Sequence, residues 1–391
     1  MQSPSASAAR TGPNALVLAD TALLLTAGVP LLDSDAATGV SLAEITPFEE
    51  VRISLAAHGQ GKCGGFERLP VQPWMQALEV REFGRSELLK LVHSIGSIES
   101  LAPGLPAMVA NPRIVSALQA VDESRLRDTV EWLSSFPTRF NRGSTPNEHV
   151  EAFRKKLEAL LAGTIPEARI DLIAHQSTPQ KSIRVSIPGT TSPDEIVVLG
   201  AHHDSINQSW GETRAPGADD NASGSSNLFE ALRILASQGR AARTIEFFWY
   251  AGEESGLLGS AEIARDYAAR KKNVVGVLQL DMTLFPGDGE FVLGSMTDFT
   301  SPALRRWFGE LNQTYIGGRI VEDRCGYGCS DHASWHRQGF PAIMPFEASF
   351  DRMFPDLHTT RDVVDERSSF RHSAMFSKIA LAFAMELGGG Y

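Results

Sequence analysis

Three mostly apolar runs in this chain end in acidic and histidine side chains, and that feature limits its fold more than any other. IVVLGAHHDS spans 196–205, IEFFWYAGEES spans 245–255 and VVGVLQLDM spans 274–282. Runs this continuously apolar suit strands buried on both faces, which is the habit of a mostly parallel sheet. Further strands are predicted at 169–173, 183–187 and 341–345, separated by helical segments at 223–236, 256–270, 302–313, 330–337 and 368–387. The alternation implies an α/β fold, a three-layer, mostly parallel or mixed sheet covered by helices on both faces. In such sheets ligands bind beyond the carboxyl ends of the strands.

The polar residues sit at those ends. His202 and Asp204 lie two apart, so in extended backbone they point the same way and His203 points oppositely. His202 is therefore a candidate metal ligand, with Asp204 as the carboxylate that orients its ring. A lone histidine at a strand end is usually structural, and the case rests on its neighbours. PGADDNASG at 216–224 places Asp219 and Asp220 just before a helix, where one acid would suffice as a cap. Glu253 and Glu254 repel one another unless a cation or proton intervenes, so one can ligate while the other takes a proton from water. Asp281 ends the third run, and His358 lies in a loop after PDL. Two histidines with several carboxylates suit zinc and, less well, cobalt or manganese. Two cations about 3.5–4 Å apart would make this a metal-assisted hydrolase.

The totals bound the partners. With 391 residues, two domains are expected, and a net charge of −11 argues against nucleic acid or an anionic membrane as the partner. The chain has no run of about 18 apolar residues to span a bilayer. Residues 1–14 read as a disordered start placed after a removed signal peptide. Residues 15–96 read as a small α+β domain with helices at 48–58 and 85–95 and a Gly-rich turn, GKCGGF, at 61–66. Residues 97–112, with three prolines, form a linker open to proteases, and 113–391 form the second domain. Apolar residues from Ile114 to Leu133 predict one helical stretch, and TPNE at 145–148 predicts a helix start capped by Thr145. Cys325 and Cys329, in CGYGC, are spaced for either a tight disulfide loop or two buried thiols, and Cys63 is left unpaired.

GAHHDS, APGADDNASG, YAGEESGLLGS, LQLDM, CGYGCSDHASWH and HTTRD follow one another in order. With these pieces, about two thirds of the chain resembles the co-catalytic double-zinc aminopeptidases, most closely the secreted bacterial leucyl aminopeptidases. The resemblance implies two zinc ions held by His202, Asp219, Glu254, Asp281 and His358, with Asp219 bridging and a cis peptide between Asp219 and Asp220. It implies Glu253 as general base, Tyr327 as a contact to the tetrahedral intermediate, and a Cys325–Cys329 disulfide. Met282, Met344, Phe346, Phe350 and Leu357 would form an apolar wall for a Leu-like first side chain, with Met353 where relatives often carry an aromatic. KCGGF resembles part of a propeptide, which would make the first domain a folding aid or an intramolecular inhibitor, cleaved near the linker, of a monomeric, secreted or periplasmic enzyme acting on peptides with free N-termini. On the same fold, a carboxypeptidase, acylase, glutaminyl cyclase or non-catalytic receptor-like protein is the alternative. Cyclases use one metal and receptor-like relatives have lost ligands, whereas the five candidates here are complete.

Overall fold

The computed structural model describes residues 15–35, 39–58, 66–68, 105–207 and 214–391. The chain forms two compact units, Met1–Ser94 and Ile95–Tyr391. Residues 1–14, the turn with Cys63, the helix expected at 85–95 and the first part of the linker lie outside the described residues.

In the first unit, strands β1 (Ala15–Asp20), β2 (Asp33–Asp35), β3 (Val40–Ile45) and β4 (Phe66–Arg68) make an antiparallel sheet in the order β2-β3-β1-β4. The apolar stretch at its start divides. Asp20 caps the helix Thr21–Thr26 by accepting the Leu23 N–H at 3.0 Å, which ends β1. A small core of Val17, Leu23, Leu24, Ala43 and Ile53 holds strands and helices together.

The second unit carries β5 (Arg169–Ile173), β6 (Ser182–Ile187), β7 (Ser192–His202), β8 (Arg243–Tyr250), β9 (Asn273–Gln279), β10 (Val292–Met296), β11 (Arg319–Asp323), β12 (Ala342–Ile343) and β13 (Pro345–Phe346). Six of them form one mixed sheet in the order β12-β9-β7-β8-β6-β5, parallel from β12 to β8 and antiparallel beyond. β10, β11 and β13 form a separate sheet. The strand expected at 341–345 is thus two short strands in different sheets, broken at Met344. β10 and β11, shorter and interrupted by glycine or charge, were not anticipated from the sequence.

Period-two alternation explains the layers. Val197, Leu199, Phe247, Trp249 and Leu278 face the core shared with helices Gly224–Gln238 and Phe370–Gly388. Ile196, Val198, Phe248, Tyr250 and Val277 face the other side, against Ile263 and Tyr267 of Leu258–Ala269 and Trp335 of His332–Arg337. The α/β expectation with helices on both faces therefore holds. Two helical details differ. The stretch from Ile114 is two helices, Pro112–Leu118 and Glu123–Ser134, because Asp122 caps a second start through the Ser124 N–H. The helix Glu148–Leu161 begins after Asn147 rather than Thr145, and Asn147 spends its side chain on Pro179 and Lys181 instead of a cap. No helix among the described residues is long and apolar enough to cross a membrane.

Candidate functional site

The parallel strands β7, β8 and β9 deliver His202, the Glu253–Glu254 turn and Asp281 to one end of the sheet, where the segment before helix Gly224–Gln238 meets them. Gly200 and Gly224 are required there. A Cβ on Gly200 would lie 2.4 Å from the Tyr250 ring, and one on Gly224 2.5 Å from the Leu280 carbonyl. Asn221 stitches the segment to β9's exit, donating to the Leu280 carbonyl at 3.0 Å and accepting the Met282 N–H at 3.3 Å.

Two groups of donors result: His202, Asp220 and Asp281, and Asp220, Glu254 and His358. His202 Nε2 lies 3.1 Å from Asp220 Oδ1 and 3.3 Å from Asp281 Oδ1. His358 Nε2 lies 2.9 Å from Asp220 Oδ2 and 3.0 Å from Glu254 Oε2. One carboxylate thus gives an oxygen to each group. Ligands of one tetrahedral zinc with bonds of about 2.0–2.1 Å stand about 3.3 Å apart, so these spacings fit a cation in each group. All five residues are buried, and Glu253 Oε2 and Glu254 Oε1 have no hydrogen-bond partner among the described residues. Unpartnered oxygens in an apolar interior call for cations.

The expectation that Asp219 is the shared residue is corrected: the carboxylate that offers an oxygen to both donor groups is that of Asp220. Asp219 is turned away, accepting the N–H groups of Thr283 (3.2 Å) and Leu284 (2.9 Å) and hydrogen-bonding to Glu347. Those amides hold it on the far side of the turn. Consequently the cis peptide falls between Asp220 and Asn221 rather than between the two aspartates. The other expected ligands, His202, Glu254, Asp281 and His358, are brought together.

Asp204 stands behind them. Its Oδ1 is 3.4 Å from His202 Nδ1, and its two oxygens accept the N–H groups of Glu253 (3.1 Å) and Glu254 (3.4 Å). His203 points the opposite way, accepting from or donating to His149 at 2.8 Å and meeting the Lys181 carbonyl at 3.0 Å. Burial holds its imidazole down at about 4, so it stays neutral.

Electrostatics follow from four carboxylates beside two imidazoles in a buried site. Burial alone would depress His358, but Glu254 and Asp220 outweigh it and lift it to about 10. His202 is likewise raised by Asp281 and Glu253 against its burial. Asp220, despite burial, is lowered by hydrogen bonds from both histidines. Burial pushes Glu253 up, and Glu254 up to about 7.

Cys325 and Cys329 are disulfide-bonded, and Tyr327 in that loop packs edge-on against Phe350 at 6.4 Å. Phe350 in turn meets Phe346 at 6.1 Å. Met282, Met344, Phe346 and Leu357 are buried, and Phe350 is half-buried. Sequence reasoning missed several supports. Ser330 Oγ donates to Asp281 Oδ2 at 2.5 Å, and Asp362 accepts the N–H groups of Asp219 (2.8 Å) and Asp220 (3.0 Å). Both lie inside the fragments CSDHASWH and HTTRD, so the signal was present without an assigned role.

Comparison with known proteins assigns a family. The model of peptidase family M28 matches residues 182–384. A leucine aminopeptidase 1 of Penicillium rubens is 34% identical over 362 residues, covering 89% of each chain. A probable leucine aminopeptidase of Trichophyton verrucosum is 37% identical over 275 residues, 69% of this chain and 74% of that one. The crystal structure of the LapA aminopeptidase of Legionella pneumophila superposes with a TM-score of 0.79 at 25% identity, covering 97% of this chain and all of that one. These sequence relatives are fungal and the solved one is bacterial.

Proposed function

This chain belongs to peptidase family M28 and is a metal-dependent aminopeptidase, and we propose that it works through two zinc ions sharing Asp220, with Glu253 as general base. The observation that carries the reading is the Asp220 carboxylate, with one oxygen in each donor group. His202 and Asp281 would hold one ion, Glu254 and His358 the other. When bound, such a pair supplies Lewis-acid stabilisation of the developing oxyanion and an acidified nucleophilic water.

The chain's own groups do the rest. Glu253 is buried, and burial raises the proton affinity of its carboxyl, which suits it to take a proton from the attacking water and return it to the leaving amine. Asp204 holds both the His202 ring and the backbone of the glutamate turn. Met282, Met344, Phe346, Phe350 and Leu357 would form the wall for an apolar, Leu-like first side chain, and Tyr327, packed on Phe350, would contact the reacting carbonyl. A peptide with a free N-terminus is the substrate class. The Cys325–Cys329 disulfide favours a secreted or periplasmic setting. The first unit acts as an intramolecular inhibitor of a monomeric enzyme.

A panel of aminoacyl anilides beside the same anilides with blocked amines tests the reading. Zinc-loaded protein should contain two ions per chain, cleave the leucyl anilide and spare the blocked one. Activity on blocked substrates would point to an acylase or carboxypeptidase, and a reproducible single zinc to a cyclase-like site.

A further inference from the structure

Arg139 and Gln180 have side chains fully withdrawn from solvent, and neither is a member of the two donor groups. Burying a guanidinium costs several kcal/mol unless its donors are satisfied, so each has a structural employer. Arg139 donates from Nε to the His203 carbonyl at 2.9 Å, from Nη1 to the carbonyls of Leu133 and Pro216, and from Nη2 to the Gly217 carbonyl at 2.8 Å. It therefore holds the turn that leads into Asp220 and the residue after His202. Gly217 adopts a left-handed φ of 52°, and a Cβ there would lie 2.8 Å from the guanidinium, so the turn and the arginine fit only with glycine.

Gln180 completes the connection. Its amide nitrogen donates to the carbonyls of Arg139 (2.9 Å) and Pro146 (3.1 Å), and its amide oxygen accepts the Gly252 N–H at 3.1 Å. Gly252 immediately precedes Glu253. Its neighbours are held in the same manner, the Ala251 N–H by Ser182 Oγ at 2.9 Å and the Glu253 and Glu254 N–H groups by Asp204. Successive backbone donors from Ala251 to Glu254 thus each meet a buried side-chain acceptor. This is far more than a turn needs for its own satisfaction, and it fixes the turn from three directions.

We propose that Arg139 and Gln180 form a buried polar strut that sets the position of Glu253 relative to Asp220, making both of them positioning residues for the hydrolysis. The chain of bonds runs from Gly252 through the Gln180 amide to the Arg139 carbonyl, then through the guanidinium to Pro216 and Gly217. It links the turn bearing the base to the turn bearing the shared carboxylate without passing through the cations. The proposal rests on the reading of Glu253 as the base.

The test is a double-mutant cycle on the zinc-loaded full chain, with Gln180→Met as the near-isosteric change. A displacement of about 1 Å in a reacting group can cost about 100-fold, so kcat should fall about 10- to 100-fold while KM stays within about threefold and two zinc ions remain. On a Glu253→Ala background the same substitution should change the residual rate less than about threefold, because no base is left to misplace. An equal fold loss on both backgrounds, or an unchanged kcat in Gln180→Met, overturns the strut. If Gln180→Met does not accumulate folded, Gln180→Asn, one methylene shorter, is read by the same criteria. Full turnover in Glu253→Ala would instead sink the base assignment, and the strut with it.

Discussion

At the scale of single residues, the two neighbouring aspartates carry the sharpest contrast. Asp220→Asn removes charge from the carboxylate that both donor groups share, so zinc should fall below two per chain and turnover by at least about 100-fold, read by metal analysis and anilide assay. Asp219→Asn keeps an oxygen for the Thr283 and Leu284 amides and should leave two zinc ions in place. Glu253→Ala should retain the metal yet lose about 100- to 10,000-fold in kcat, the range of a lost general base. Charge at the site also makes binding depend on pH. Without a cation His358 keeps its proton up to about pH 10, so that charge contributes stability below the unfolded value of about 6.5 and loses it as pH rises through about 10. A cation must displace that proton, so zinc affinity should rise with pH across this window, with proton release measurable by calorimetry in buffers of different ionisation enthalpy. That His202, Glu254, Asp281 and His358 belong together as donors was legible from the strand-end pattern and the resemblance. Which of two adjacent acids faces the site was not, because it depends on amides from Thr283 and Leu284, more than sixty residues away.

At the scale of elements, the parallel strands were legible because a strand buried on both faces must be apolar throughout. Trp249 shows what that burial does. It is fully buried, packs edge-on to Phe153 at 5.0 Å, and donates its indole N–H to the Ser225 carbonyl at 3.1 Å. Ser225 Oγ in turn donates to the His202 carbonyl at 2.8 Å. Trp249→Ala should therefore destabilise the second unit by about 3–5 kcal/mol, seen as a lower denaturant midpoint. The split of the stretch after Ile114 into two helices, and of 341–345 into two strands, escaped the periodic pattern. A single cap at Asp122 and a change of sheet at Met344 reset direction without altering the run of apolar residues.

At the scale of the whole molecule, the chain forms two compact units divided between Ser94 and Ile95, and the proline-bearing stretch expected to be open to proteases runs from 97 to 112. If the first unit inhibits the second, limited proteolysis between 97 and 112 should raise the anilide rate, and an unchanged rate would remove that role. By itself the sequence determined the alternation of strands and helices, the placing of acids and histidines at strand ends, and the chemistry those donors allow, because burial and backbone geometry act on local pattern. Only the tertiary structure decided that Asp220 is shared between the two groups. It alone also revealed that Asp204, Ser182 and Gln180 capture the backbone of the glutamate turn and that Arg139 ties that turn to the one before Asp220. Those choices are made by hydrogen bonds between segments far apart in the chain, and no local spacing encodes which distant amide a side chain will meet.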